Sequence, residues 1–71
     1  MRAVFLYDVL SEVLAFESTL KKRNIPVELI PTPRCFTSNC GLCALVSPED
    51  VEEIKGLEIP PHYQLEEFKM E

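Results

Sequence analysis

The chain has 71 residues, is 46% hydrophobic and 27% charged, and holds only two glycines, a composition that belongs to a globular domain and excludes a disordered or low-complexity chain. One domain over residues 1–71 is all this length allows; it would bury only about 60% of its unfolded surface, so stability should be narrow and a homodimer or larger partner would add to it. The net charge of −5 is uneven: residues 1–46 carry five basic against four acidic side chains and residues 47–71 two against eight, which leaves no basic face for a nucleic acid.

Arg2-Ala3-Val4-Phe5-Leu6-Tyr7 is short, apolar and rich in strand formers, and it lacks clean alternation. That pattern predicts a strand covered on both faces or lying in the middle of a sheet. From Val9 the period changes: Val9, Val13, Phe16 and Leu20 recur at helical spacing, with Leu10 and Leu14 widening the stripe. Asp8 is the expected N-cap and Asn24 the expected end of a helix of about 15 residues, which Pro26 forbids from continuing. The cluster Lys21-Lys22-Arg23 then falls at the helix C-terminus, where cations suit the macrodipole.

Val27 to Ile30 reads as a second strand and Leu42 to Val46 as a third. Ser47-Pro48-Glu49-Asp50 reads as a helix start, with Ser as N-cap, Pro at the first helical position and acids against the positive end of the dipole. That helix is brief, with Val51 and Ile54 inward and Gly56 closing it. His62 to Phe68 reads as a last strand, placed at an edge by its polar content and by Pro60-Pro61 before it. The order β-α-β-β-α-β predicts a ferredoxin-like α+β sandwich: a four-stranded antiparallel sheet with two helices on one face.

Between the second and third strands runs a loop of about 11 residues, where a plain hairpin needs two to five. A long loop on so small a scaffold points to function. All three cysteines, Cys35, Cys40 and Cys43, lie in or beside it. Pro31 and Pro33 stiffen the way in, while Thr37, Ser38, Asn39 and Gly41 favour local turns and close approach. No run approaches the roughly 20 apolar residues of a membrane span, and Met1-Arg2 leads into a strand-like segment with no secretory cleavage pattern, so the expected location is the cytoplasm. In a reducing compartment an odd number of cysteines points away from structural disulfides and toward sulfur transfer, catalysis, metal binding or plain burial.

Each chemistry meets a different objection or support in the residues. Cys40-Gly41-Leu42-Cys43 has C-x-x-C spacing, but the stretch from Ala44 to Pro48 is too short and too β-like to be the helix that a thioredoxin-type site opens. A zinc site from Cys35, Cys40, Cys43 and His62 lacks two closely spaced pairs, and the spacing matches no usual iron–sulfur run, so no cofactor and no metal are expected. Cys43, inside an apolar run, is expected to be a small buried hydrophobe. Cys40 has the best case for reactivity, since Ser and Asn donors precede it, Gly41 follows it and Arg34 is within reach to favour the thiolate. No Ser/His/Asp or Cys/His/Asn set and no phosphate-binding glycine loop is present, which argues for a carrier or accessory protein over a self-sufficient enzyme.

Ile25-Pro26-Val27-Glu28-Leu29-Ile30-Pro31-Thr32-Pro33-Arg34, followed by Thr37-Ser38-Asn39-Cys40-Gly41-Leu42, resembles the small bacterial domains described as selenium/sulfur carrier protein-like. The Ala15, Glu17 and Leu20 pattern and the Ser47-Pro48-Glu49-Asp50 start also fit, so the resemblance spans nearly the whole chain. It implies a carrier thiol at Cys40, assisted by Arg34, with a sulfur or selenium donor such as a cysteine desulfurase and a downstream acceptor protein as partners. Cys35 and Cys43 are additions to that pattern and are candidates for resolving a persulfide on Cys40. A non-catalytic interaction or regulatory module, metal-binding through its cysteines or with incidental thiols, is the alternative reading.

Overall fold

Residues 2–36 and 40–68 are described by the computed structural model. They form β1 (Arg2–Leu6), α1 (Leu10–Lys22), β2 (Glu28–Pro31), β3 (Leu42–Val46), a single 3-10 turn (Pro48–Asp50) running into α2 (Val51–Lys55), and β4 (Gln64–Phe68). The strands make one sheet in the order β2-β3-β1-β4, and every neighbouring pair is antiparallel. β1 and β2 are therefore separated by β3, so the β1-α1-β2 unit is split. The expected α+β fold, with four antiparallel strands and two helices, is what the chain adopts.

β1 is apolar on both faces because both of its faces are covered. Ala3, Phe5 and Tyr7 point with Ala44 and Val46 of β3 toward Val13, Phe16 and Leu20 of α1 and Ile54 of α2. Phe5 and Phe16 meet with ring centroids 4.7 Å apart, and Tyr7 and Phe16 at 5.6 Å. On the opposite face Val4, Leu6, Cys43 and Leu45 form a second, smaller core, against which Ile30, Phe36 and Phe68 pack. The sheet is thus a two-sided structure, with helices on one side and aromatic side chains from the loop and from β4 on the other.

α1 departs from expectation at its start. It begins at Leu10, the N-cap position is Val9, and no side chain caps it; Asp8 is one residue too early for that role. Leu10 and Leu14, expected to widen the buried stripe, are exposed at 50% and 46%. At 3.6 residues per turn they fall roughly 90° and 130° from the centre of the Val13-Phe16-Leu20 stripe, which is all that a four-stranded sheet needs to cover it. The helix end agrees closely with the sequence. Asn24 takes a left-handed φ of 58°, Ile25 N–H donates to Leu20 carbonyl at 2.9 Å and Asn24 N–H to Lys21 carbonyl at 3.1 Å. This is a Schellman cap, with buried Ile25 packed beside Leu20 and Pro26 ending the helix.

Ser47 precedes the 3-10 turn as expected, but it holds the turn through its backbone: Asp50 N–H donates to Ser47 carbonyl at 3.0 Å, and no side-chain cap bond forms. Gly56 closes α2 with a φ of −84°, so its freedom to go left-handed is not used. β4 lies at the sheet edge, as its prolines and charges predict, paired along its length with β1.

Tyr7 ties this end of the sheet together by donating its hydroxyl to Pro60 carbonyl at 2.9 Å. Burial pushes its phenol up, and the neighbouring Tyr63 and Glu12 add to the effect. Between the usual tyrosine value near 10 and this raised one, the unfolded chain binds fewer protons than the folded one, so stability falls as pH rises. The midpoint of urea unfolding should therefore drop as pH rises above about 9.5. Tyr7→Phe should cost about 1 kcal/mol at neutral pH and flatten that alkaline decline.

Candidate functional site

The loop is set by what two prolines leave available. Pro31 is the last residue of β2, opposite Leu42 of β3, and neither it nor Pro33 has an N–H to give. Thr32 is the one donor among the three, and it is used twice. Its N–H donates to Gly41 carbonyl at 3.0 Å and its Oγ1 donates to Cys40 carbonyl at 3.0 Å. One residue thereby clamps the base of the loop and fixes the backbone of Cys40. Sequence reasoning missed this role, although a threonine isolated between prolines was its signal.

Beyond the clamp, Phe36 N–H donates to Pro33 carbonyl at 3.1 Å, closing a turn with Arg34 and Cys35 at its exposed tip. Phe36 then packs on the second core, its ring 5.7 Å from that of Phe68 and edge-on at 65°. An apolar anchor at position 36 thus holds the preceding turn outward. Thr37, Ser38 and Asn39 lie outside the described residues.

Against an expectation of one exposed loop, the three thiols sit in three different settings, and no disulfide joins them. Cys35 is exposed with Arg34 on the turn. Cys40 is only 5% exposed and packs with the helix-side core. Cys43 is fully buried in the other core, as its apolar neighbours predict. Burial pushes the Cys43 thiol up; Thr32 opposes this, and the nearby Cys40 and Cys35 thiols reinforce it.

Cys40 and Cys43 consequently face different cores across the sheet, and a disulfide needs Cβ atoms about 3.8 Å apart. No disulfide joins the C-x-x-C pair in the folded chain. Among the described residues no group of three or more His, Cys, Asp or Glu is placed to hold a metal ion, and His62 is exposed. At neutral pH, alkylation mapped by mass spectrometry should modify Cys35 first, Cys40 at least about tenfold more slowly, and Cys43 last, with the differences vanishing in denaturant.

Fold and loop together define a small α+β protein whose distinctive chemistry is that of thiols at a clamped strand-to-strand loop. Residues 2–60 match the family described as "Putative Se/S carrier protein-like", and the chain belongs to that family. The match takes in the whole thiol loop and ends before β4. No curated protein and no solved structure matches the chain. No helix among the described residues is long and apolar enough to cross a membrane.

Proposed function

We propose that residues 1–71 act as one carrier domain that takes sulfur or selenium on Cys40, as a persulfide or selenosulfide, and hands it to an acceptor protein. The observation that carries this reading is the placement of Cys40: a thiol only 5% exposed, at a backbone position fixed by Thr32. A persulfide is attacked by any thiolate that reaches it, and access governs the rate. Burial at a fixed position keeps the cargo from small thiols in a reducing cytoplasm until a partner engages the loop.

Cys40 attacks the outer sulfur of the donor's persulfide as a thiolate, and the donor's own thiolate leaves. Arg34, exposed on the Pro33–Phe36 turn of the same loop, is the cation offered to an approaching donor, with Thr37, Ser38, Asn39 and Gly41 as the remaining loop residues of the proposed site. Cys43 has the smaller part in this chemistry, being sealed in the opposite core with its proton retained. A cysteine desulfurase is the class of donor that presents such a persulfide.

The test is transfer of labelled sulfur. A desulfurase charged with labelled cysteine should label the parent in a form released by dithiothreitol after denaturation, and the label should pass to a second thiol protein once the donor is removed. Equal labelling of Cys40→Ser would end the proposal. The alternative interaction module draws its support from Val9, Leu10 and Leu14, exposed at 46–50% beside one another at the start of α1; retention of partner binding after all three thiols are alkylated would favour it.

A further inference from the structure

Resting on the carrier reading, we propose that Val9, Leu10 and Leu14 form the docking surface for the protein that gives sulfur to Cys40, and that this donor presents an apolar contact bordered by Lys or Arg. The three side chains are exposed at 50%, 50% and 46%, and among the described residues they are the large hydrophobics left in solvent. Leu10 and Leu14 are four apart at the start of α1 and share one helix face.

The sheet places this patch at the same end of the molecule as the carrier thiol. β1 leads into α1 at the end marked by Leu6. β3 runs antiparallel to β1, with Phe5 opposite Ala44, so it begins at that end, and β2 finishes there with Pro31 opposite Leu42. Thr32 holds Cys40 and Gly41 beside that last pair. The face is shared as well. Cys40 packs in the helix-side core together with Val13, whose N–H donates to Val9 carbonyl at 3.3 Å.

Area and charge select the occupant. Three half-exposed side chains offer at most a few hundred Å², well short of the about 800 Å² per partner in a standard interface, which suits a transient encounter better than a standing dimer. Asp8 and Glu12 border the patch, and α1 carries no basic residue before Lys21. Two copies meeting here would set these carboxylates against their own kind on chains of net charge −5, whereas a basic border on the donor complements them.

The test loads Cys40 in the parent, in Leu10→Lys/Leu14→Lys and in Leu10→Glu/Leu14→Glu, with peptide mapping after acid quench and urea unfolding to verify the fold. One source is a desulfurase carrying a persulfide; the other is inorganic polysulfide, which needs no docking surface. From the desulfurase the Lys pair should load at least about tenfold more slowly than the parent, with the Glu pair between them, while polysulfide should load all three within about twofold. A parental rate from the desulfurase in either folded variant would overturn the docking surface and leave the carrier reading standing. So would equal slowing from both sources, which would place the effect on Cys40 itself. A Glu pair as slow as the Lys pair would overturn the basic donor. If Cys40 of the parent is loaded by neither source, the carrier reading falls and takes this proposal with it.

Discussion

Phe16→Ala should cost the chain about a third or more of its stability at 25 °C. Phe16 is fully buried, and its ring meets both Phe5 at 4.7 Å and Tyr7 at 5.6 Å, so it is the main contact between α1 and the centre of the sheet. Truncating a buried phenylalanine costs about 3–5 kcal/mol, part lost transfer energy and part unfilled cavity. At roughly 0.05–0.15 kcal/mol per residue a chain of this length has about 4–10 kcal/mol in all, so the loss takes a third of the total or more. Phe16→Leu, which keeps most of the volume, should cost about 1–2 kcal/mol and leave a cooperative urea transition. Circular dichroism of the three proteins decides the matter. A Phe16→Ala protein as stable as the parent would mean that the helix does not owe its place to this cluster.

The largest expected effect on function is at Cys40. Cys40→Ser should keep the fold, with a cost of about 1–2 kcal/mol for placing a hydroxyl in a nearly closed site. Uptake of sulfur at that position should fall below about 5% of the parent, because a serine hydroxyl gives no appreciable nucleophile at neutral pH where a thiol gives a few per cent thiolate. Cys40→Ala serves as the control for polarity. Both variants should show a parental unfolding transition within about 2 kcal/mol and the same loss of uptake. A folded Cys40→Ala protein with full sulfur uptake would reassign the carrier thiol to Cys35.

Much of this architecture could be read from the chain because local signals and tertiary structure agree. The switch from an unbroken apolar run at Ala3–Tyr7 to helical spacing at Val13, Phe16 and Leu20 marks β1 and α1. Asn24 with Pro26 two residues later marks the end of α1, and Cys43 among Leu42, Ala44, Leu45 and Val46 marks a buried sulfur. What could not be read depends on contacts between distant residues. Leu10 and Leu14 look like core until the narrow sheet shows how few helix positions it covers. Phe36 looks like an irregular loop residue until Phe68, on an edge strand 32 positions later, supplies its partner.

Cys40 is the instructive case. Its neighbours Thr37, Ser38, Asn39 and Gly41 are those of an exposed turn, which predicts an exposed thiol. The burial comes from Thr32, which draws the backbone of residues 40 and 41 against the end of β2 and so turns the Cys40 side chain into the helix-side core. The one trace of that clamp in the loop is Thr32 standing alone between Pro31 and Pro33. The same bond network leaves Cys35 outside, and a chain that looked like one reactive loop resolves into one exposed and two buried thiols.

The most direct test of the central claim is the intact mass of protein purified without reductant, measured before and after dithiothreitol in denaturant, with the modified cysteine mapped by peptide analysis. A reducible gain of about one sulfur or selenium atom, located on Cys40, is the result expected of a carrier that shields its cargo. Three unmodified thiols, even after incubation with a charged desulfurase, would contradict it.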